Sequence, residues 1–168
     1  MPEYNKESKC LHAITPTLTV KDGVRAIDFY KNAFGAEELM RMPGPDGQGI
    51  MHAELKIGDS TLFLSDECPE MGNRSPETLG GATGGIYLLV EDADAVHKKA
   101  LEAGAKDEMA VEDMFWGDRM GSVVDPFGHH WAIATHKEDV EPEELRKRTE
   151  EFYAKMAAKK EHEVEASV

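Results

Sequence analysis

An internal repeat limits the possible folds of this chain more than any other feature of its sequence. An apolar run at 17–22 ends with Asp22, and a second run at 86–92 ends with Asp92. Both runs carry a valine two residues before the aspartate, at an offset of 70 residues. Apolar runs of this kind are typical of β-strands, and each aspartate stands where a helix N-cap is needed. The repeat therefore predicts two strand–helix units of the same design.

The residues after each aspartate continue the repeat. Segment 24–34 carries apolar residues at the spacing of one helix face, namely Val24, Ile27, Tyr30 and Phe34. Gly35 and Gly104 follow the two candidate helices at 24–34 and 94–103, where a left-handed residue commonly ends a helix. Further strands are predicted at 38–42, 50–57, 60–64, 119–124 and 130–135. This order predicts an α+β fold of two βαβββ modules.

The repeat also sets the boundaries of the predicted domain. We assign the segments as a disordered N-terminus (1–10), module one (11–67), an exposed Pro-, Gly-, Ser- and Asn-rich linker (68–85), module two (86–137) and a tail (138–168). Residues 11–137 then form a single domain. The tail is predicted to be helical at 141–160, because Pro142 suits the first helical position and apolar residues recur on one side.

The charge of the chain excludes several kinds of partner. A net charge of −14 disfavours binding to nucleic acid and to anionic membranes. No apolar run approaches the ~20 residues that a membrane helix needs, and residues 1–9 lack the apolar core of a secretory signal. Cys10 and Cys68 lack metal-site spacing, so we expect free thiols and a cytoplasmic location. The glycine-rich run at 80–85 precedes a strand rather than a helix, so a nucleotide site is not expected there.

Several motifs occur together between residues 11 and 140. They are AIDFYKNAFGAE at 26–37, MHAEL at 51–55, IGDS at 57–60, WGDR at 116–119 and DPFGHHWAIATH at 125–136. This set resembles the PhnB-like branch of the vicinal oxygen chelate (glyoxalase/bleomycin resistance/dioxygenase) superfamily. The resemblance implies two modules that form a curved, open barrel around a small-molecule cavity, usually as a homodimer. It leaves the reaction open, because the superfamily includes metal-dependent isomerases, lyases and dioxygenases as well as drug-sequestering proteins without catalysis.

Metal-using members of that superfamily take ligands from the first and last strand of each module. The matching positions here are Thr15, Gly85, Ala132 and one residue within 62–64, all of which lack metal-binding side chains. We therefore predict no metal and no cofactor at the family position. A metal site rebuilt from other residues is an alternative, although strand geometry separates His129, His130 and His136. His129 and His136 suit surface or hairpin-end positions.

Strand alternation selects candidate residues for the cavity. If Thr15, Gly85 and Ala132 face inward, Tyr87 and His130 do so too. His52 and Glu54 form the polar face of the third strand, which lines the cavity or else faces solvent. Trp116 offers a stacking wall, and Arg119 offers either a bidentate anchor for an anion or a structural ion pair with Asp118. The predicted ligand-binding residues are His52, Glu54, Tyr87, Trp116, Arg119 and His130.

Two functions are compatible with this set of residues. The first is metal-free binding of a small organic ligand, anionic if Arg119 faces the cavity. The second is an enzyme of lyase, isomerase or dioxygenase type that uses His52, Glu54 or His130 as a general base, or a relocated metal.

Overall fold

The structure, a computed structural model, describes residues 13–165, so the predicted disordered segment 1–10 lies outside the described residues. The elements follow in chain order: β1 (Thr17–Val20), α1 (Gly23–Phe34), β2 (Glu37–Pro43), β3 (Ile50–Ile57), β4 (Ser60–Asp66), a 3-10 turn (Pro69–Met71), α2 (Pro76–Leu79), β5 (Gly85–Leu89), α3 (Ala93–Glu102), β6 (Lys106–Asp113), β7 (Asp118–Val124), β8 (His130–His136) and α4 (Pro142–Glu165). None of the helices within residues 13–165 is long and apolar enough to cross a membrane.

The two halves form two four-stranded sheets with the same topology. The strand orders are β1-β4-β3-β2 and β5-β8-β7-β6, and the first and last strand of each module pair in parallel. The predicted α+β fold of two βαβββ modules with a C-terminal helix is confirmed. Within the described residues the sheets stay separate rather than closing into a barrel.

The predicted helix caps are present in both modules. The side chain of Asp22 accepts a hydrogen bond from the Arg25 N–H, and Asp92 accepts one from Ala95, each at 3.0 Å. Gly35 ends α1 in the left-handed conformation, with φ 66°. Helix α3 differs slightly from the prediction, because it ends at Glu102 and its cap residue Ala103 stays right-handed.

The last strand of each module also holds the start of the helix in that module. Asp66 at the end of β4 accepts a hydrogen bond from the Gly23 N–H at 2.5 Å. Thr135 near the end of β8 accepts one from the Ala93 N–H at 2.8 Å. The first turn of a helix has N–H groups without intrahelical partners, so these contacts fix each helix against its own sheet. The two modules therefore also share a contact between the last strand and the helix start, although the side chains that form it differ between the modules.

The linker prediction is wrong in its central part. Ser75 is fully buried, and the Glu67 carboxylate accepts hydrogen bonds from its N–H at 3.0 Å and from its hydroxyl at 2.8 Å. Glu67 also accepts a bond from the Thr78 hydroxyl at 3.0 Å. These bonds order the short helix α2, which packs near β1. Polar and glycine-rich composition predicted an exposed loop throughout, because composition alone does not show that Glu67 binds the side chains of Ser75 and Thr78.

A buried carboxylate joins the two modules. Asp125, only 3% exposed, accepts hydrogen bonds from the Tyr30 hydroxyl at 2.8 Å and the Trp131 indole at 2.9 Å. Its second oxygen accepts the backbone N–H groups of Phe127 and His129, each at 2.9 Å. Burying a carboxylate is unfavourable unless hydrogen bonds replace its water shell, and here four donors do so. Since Tyr30 belongs to α1 and Asp125 to the β7–β8 turn, this contact fixes one module against the other.

We predict that Tyr30→Phe destabilises the fold by about 1.5–3 kcal/mol, the range for a hydrogen bond to a charged group. The substitution leaves the aromatic packing in place and removes only the hydroxyl that reaches Asp125. Urea unfolding followed by circular dichroism measures the loss. Met71→Leu, at an exposed position in the 3-10 turn, is the control and leaves the midpoint unchanged. Equal midpoints for the two variants would refute the role of Asp125.

Candidate functional site

Each sheet has one face covered by helices and one face away from them, which we call the open face. On β8, Trp131 and Ile133 are buried on the helix side, whereas His130 and Ala132 alternate onto the open face. The cross-strand partners of His130 and Ala132 on β7 are Val124 and Ser122. Directly opposite residues share a face, so the even-numbered residues of β7 lie on the open face.

Strand register identifies the fourth position equivalent to a family metal ligand. Thr17 pairs with Phe63 as Tyr87 pairs with Ala132, so Phe63 is the counterpart of Ala132. The phenyl ring of Phe63 lies 4.9 Å from the His52 ring in an edge-to-face contact. Within residues 13–165 no group of three or more His, Cys, Asp or Glu side chains is placed to hold a metal ion. These residues do not fit a divalent cation at the family position.

His52 and Glu54 form a pair on the open face of β3. Their Nε2 and Oε1 atoms are 3.7 Å apart, which is longer than a direct hydrogen bond. The Glu54 side chain is only 13% exposed, and the His52 side chain is 31% exposed. At this separation, both atoms can hydrogen-bond the same polar group of a ligand or the same water molecule. The pair can therefore bind a hydrogen-bonding group or exchange a proton with it.

His130 is held by a carboxylate that the sequence did not reveal. Its Nδ1 atom lies 2.9 Å from Glu108 Oε1, and the Ser122 hydroxyl donates to the other oxygen of Glu108 at 3.1 Å. The hydrogen bond from His130 lowers the pKa of Glu108, against the smaller effect of partial burial. The ionised carboxylate keeps a proton on His130 Nδ1, which leaves Nε2 as the nitrogen that can take part in chemistry.

Asp118 connects two of the predicted site residues, Tyr87 and Trp116. Its Oδ2 atom accepts the Tyr87 hydroxyl at 2.6 Å and the Trp116 indole N–H at 3.1 Å. Its Oδ1 atom lies 2.9 Å from His136 Nδ1. Partial burial opposes ionisation, but the hydrogen bonds from Tyr87, His136 and Trp116 together lower the pKa of Asp118. Asp118 thus orients an aromatic pair on the open face.

The prediction that Arg119 anchors a ligand in the cavity is wrong. Arg119 lies on the helix face of β7, where its guanidinium donates two hydrogen bonds to Asp94, at 2.6 and 2.7 Å. A third bond reaches Asp113 at 3.1 Å. These hydrogen bonds raise the pKa of Arg119 far above its ordinary value. The partner is Asp94 at the start of α3 rather than Asp118, so Arg119 holds the helix to the sheet.

The other five predicted residues lie in three groups rather than one cluster. His52 and Glu54 belong to the first sheet, Tyr87 and Trp116 meet at Asp118, and His130 pairs with Glu108. Sequence reasoning missed the roles of Glu108 and Asp118. Alternation along β7 contained a signal for Asp118, whereas Glu108 lies on β6, which lacks a clear apolar pattern and was not predicted as a strand.

A groove of about 460 Å³ lies between the edge strands β1 and β5, and we call it the seam groove. Its lining includes Thr17 and Thr19 of β1, Gly85 of β5, and His130. The His129 Nε2 atom lies 3.1 Å from the Thr19 carbonyl oxygen and spans the two modules beside it. His129 is therefore an inter-module contact rather than a free surface residue.

We predict a pH-dependent contribution of His136 to stability. Hydrogen bonds to Asp118 and Asp139 raise the pKa of His136 above its ordinary value. A raised pKa in the folded state stabilises the fold fully below the unfolded pKa, and this stabilisation is lost as pH rises through the folded pKa. The stability difference between the native chain and His136→Gln is therefore larger at about pH 6 than at about pH 8. Unfolding by urea at both pH values measures it. Asp139→Asn removes one of the two carboxylates that bind His136, so the contribution of His136 to stability should then change less between about pH 6 and about pH 8. A contribution of His136 that does not change with pH contradicts the prediction.

Comparison with known proteins agrees with this architecture. A family model described as the Glyoxalase/Bleomycin resistance protein/Dioxygenase superfamily matches residues 11–133. An uncharacterized protein of Mycobacterium bovis is 47% identical over 137 residues, covering 80% of this chain and 90% of its own length. Neither match assigns a reaction to the open face.

Solved structures have the same fold. TioX from Micromonospora sp. ML1 is 28% identical, with a TM-score of 0.58 over 75% of this chain and 99% of its own. A Bacillus cereus protein titled as a putative 3-demethylubiquinone-9 3-methyltransferase, PhnB protein, is 14% identical. Its TM-score is 0.56 over 74% of this chain and 99% of its own, a likeness of fold alone. The repeat, the strand order and the open face agree with the match to the family model. Because that model spans most of both modules, this chain belongs to the glyoxalase/bleomycin resistance protein/dioxygenase superfamily.

Proposed function

We propose that this chain is a PhnB-like member of the superfamily that binds a small organic molecule on its open face without a metal. One observation carries the proposal. The four positions equivalent to metal ligands hold Thr15, Phe63, Gly85 and Ala132, while polar and aromatic side chains occupy neighbouring positions on the same face. The motifs at 26–37 and 125–136 support the PhnB-like branch.

The side chains of the open face suit an organic ligand with an aromatic or planar part. The Tyr87 side chain is 49% exposed, and the Tyr87 hydroxyl and the Trp116 indole are both fixed by Asp118. Aromatic rings held in one orientation offer stacking area at a low cost in conformational entropy. His52 and Glu54 supply hydrogen-bonding groups on the other sheet. Arg119 gives no reason to expect an anionic ligand, since Asp94 and Asp113 occupy its guanidinium.

A second candidate function is a metal-independent lyase or isomerase. The observation that favours it is the Glu108–His130 pair, with Nδ1 of His130 bound at 2.9 Å. A carboxylate that fixes the imidazole in this way leaves Nε2 as a general base for a proton next to a carbonyl group. His52 and Glu54 are less suited to this role, because their 3.7 Å separation leaves the imidazole without such an orienting bond from Glu54.

We predict that purified protein carries far less than one Zn, Mn, Fe or Ni per chain and binds indole equally well with and without a chelator. Elemental analysis after gel filtration measures the first part, since the four family positions lack ligands. Amide chemical shifts during an indole titration measure the second and are expected to move on β5 and β7. One retained metal per chain contradicts the metal-free proposal.

Variants of the same titration test the aromatic surface. Tyr87→Ala should weaken indole binding several-fold, because a fixed ring contributes about 0.5–1.5 kcal/mol beyond area burial. Met71→Ala, which removes an exposed apolar side chain from the 3-10 turn, is the control and should leave the affinity unchanged. If the two variants bind indole alike, the open face is not the binding surface.

We further propose that the chain works as a cytoplasmic homodimer that uses α4. Helix α4 meets the body through the rings of Phe115 and Phe152, whose centroids are 5.0 Å apart. The side chains of Tyr153 and Met156 remain 64% and 55% exposed. Neighbouring apolar side chains on one exposed helix favour association with a second copy.

We predict a dimeric mass by light scattering at micromolar concentration and a monomeric mass for the double variant Tyr153→Lys and Met156→Lys. Two buried charges would oppose association through an apolar helix face. Lys147→Glu and Lys155→Glu together form a control that alters the charge of α4 without touching the two apolar positions. A monomeric native chain contradicts the proposal directly.

A further inference from the structure

We propose that the seam groove binds the anionic end of a small organic molecule, a carboxylate or a phosphate, with Arg74 as its cationic anchor. The proposal rests on the proposed function, which it deepens by naming the class of ligand. Arg74 of the seam groove thereby takes the role of anion anchor that the sequence analysis assigned to Arg119.

The groove has the size and composition of a small-molecule site. Its volume of about 460 Å³ falls within the usual range for small-molecule pockets. Apolar side chains form much of its wall, including Leu18 of β1, Ile86 of β5 and Leu79 of α2. The two edge strands belong to separate sheets, and no ladder joins them within the described residues. The space between them is therefore open to an occupant with an apolar part.

The groove lacks the acidic side chains that dominate the chain as a whole. The chain has 33 acidic residues and a net charge of −14, yet no carboxylate occurs among the described residues that line the groove. Its titratable lining residues are Arg74, His129 and His130. Glu108 lies behind His130 and is occupied by that ring and by the Ser122 hydroxyl. An anion entering the groove therefore meets cationic and neutral groups first.

Within residues 13–165, Arg74 is an arginine that no carboxylate holds, in contrast to Arg41, Arg119 and Arg148. Arg119 is held by two carboxylates, as is Arg148, and Arg41 is held by Glu38. Arg74 is exposed and makes no hydrogen bond or ion pair with any residue from 13 to 165. Its guanidinium can therefore present parallel N–H donors to a carboxylate or a phosphate.

The glycine-rich run adds backbone donors beside this guanidinium. The N–H groups of Gly80 and Gly81 are bonded to the Pro76 carbonyl oxygen. The next three N–H groups, at 82–84, have no hydrogen-bond partner among the described residues, and all three residues line the groove. Successive free N–H groups near a cation are well suited to bind anion oxygens. The run thus contributes to an anion site although it does not precede a helix.

Three probes of similar shape test the proposal: benzoate, phenyl phosphate and neutral benzamide. Amide chemical shifts of the ¹⁵N-labelled full chain report the site and the affinity. We expect both anions to shift residues 82–86 and 17–19, and at least one of them to bind about tenfold or more tightly than benzamide. A preference for benzoate identifies a carboxylate ligand, and a preference for phenyl phosphate identifies a phosphate ester.

Arg74→Ala should weaken the preferred anion by about tenfold or more, the effect of losing a hydrogen bond to a charged group. Because the exposed Arg74 side chain makes no hydrogen bond or ion pair with the described residues, the variant should keep the native circular dichroism spectrum and unfolding midpoint. Arg146→Ala removes the same charge from the exposed side of α4 and should leave the affinity unchanged.

The outcomes separate the groove from the open face. The groove proposal is overturned if benzamide binds as well as both anions, if Arg74→Ala and Arg146→Ala behave alike, or if no anion shifts residues 82–86. In each of those cases indole binding that depends on Tyr87 still supports the proposed function. Conversely, anion binding that depends on Arg74 without any indole binding supports the groove and contradicts the open-face proposal.

Discussion

The arrangement of the two modules depends on one buried carboxylate and on the aromatic packing of Tyr30 and Phe34 against Trp131 around it. The sheets share no strand ladder within the described residues, so side chains must set their relative position. Asp125 does this by accepting a hydrogen bond from Tyr30 of the first module while also closing its own β7–β8 turn. Burial and the nearby Asp125 charge raise the pKa of the Tyr30 hydroxyl, which keeps it protonated as a donor. Because β1 and β5 border the seam groove, its width depends on the same contact, together with the bond between His129 and Thr19.

Much of the fold was predictable because it depends on local signals that occur twice. The aspartate caps, Gly35 and the alternating strands are each determined within a few residues, and the 70-residue offset made two weak signals agree. The errors lie where the order of one segment depends on contacts with another segment. Helix α2 exists because Glu67 binds Ser75 and Thr78, and β6 exists because β7 pairs with it although its own residues are mostly exposed. Neither contact leaves a periodic pattern in the sequence.

The candidate site was predictable only in part, and Arg119 shows why. The turn at 125–129 pairs Val124 with His130, so even-numbered residues of β7 share the face of His130 and odd-numbered ones face the helices. Applied before the structure, that parity would have placed Arg119 with α3 and Asp118 on the open face. The partners themselves were not accessible in this way. The contacts of Asp118 with Tyr87 and of Glu108 with His130 join strands that are distant in sequence, and the β6–β7 pairing contains register shifts.

The positions equivalent to the family metal ligands hold residues that cannot bind a metal, and this changes what the histidines of the open face can do. A bound cation would hold imidazoles and carboxylates around one centre, but here each histidine has its own carboxylate. His52 lies near Glu54, His130 is bound to Glu108, and His136 is bound to Asp118. Phe63 occupies one former ligand position and packs against the His52 ring. Two imidazoles of this face, those of His130 and His136, have Nδ1 bound to a carboxylate, and of these two His130 lines the seam groove. The same acidic chain pairs several of its arginines with carboxylates, whereas Arg74, which lines the seam groove, has no carboxylate partner among the described residues. Arg74 and His130 line the same groove, so a ligand whose anionic end is bound by Arg74 would lie in the groove that also contains the imidazole of His130.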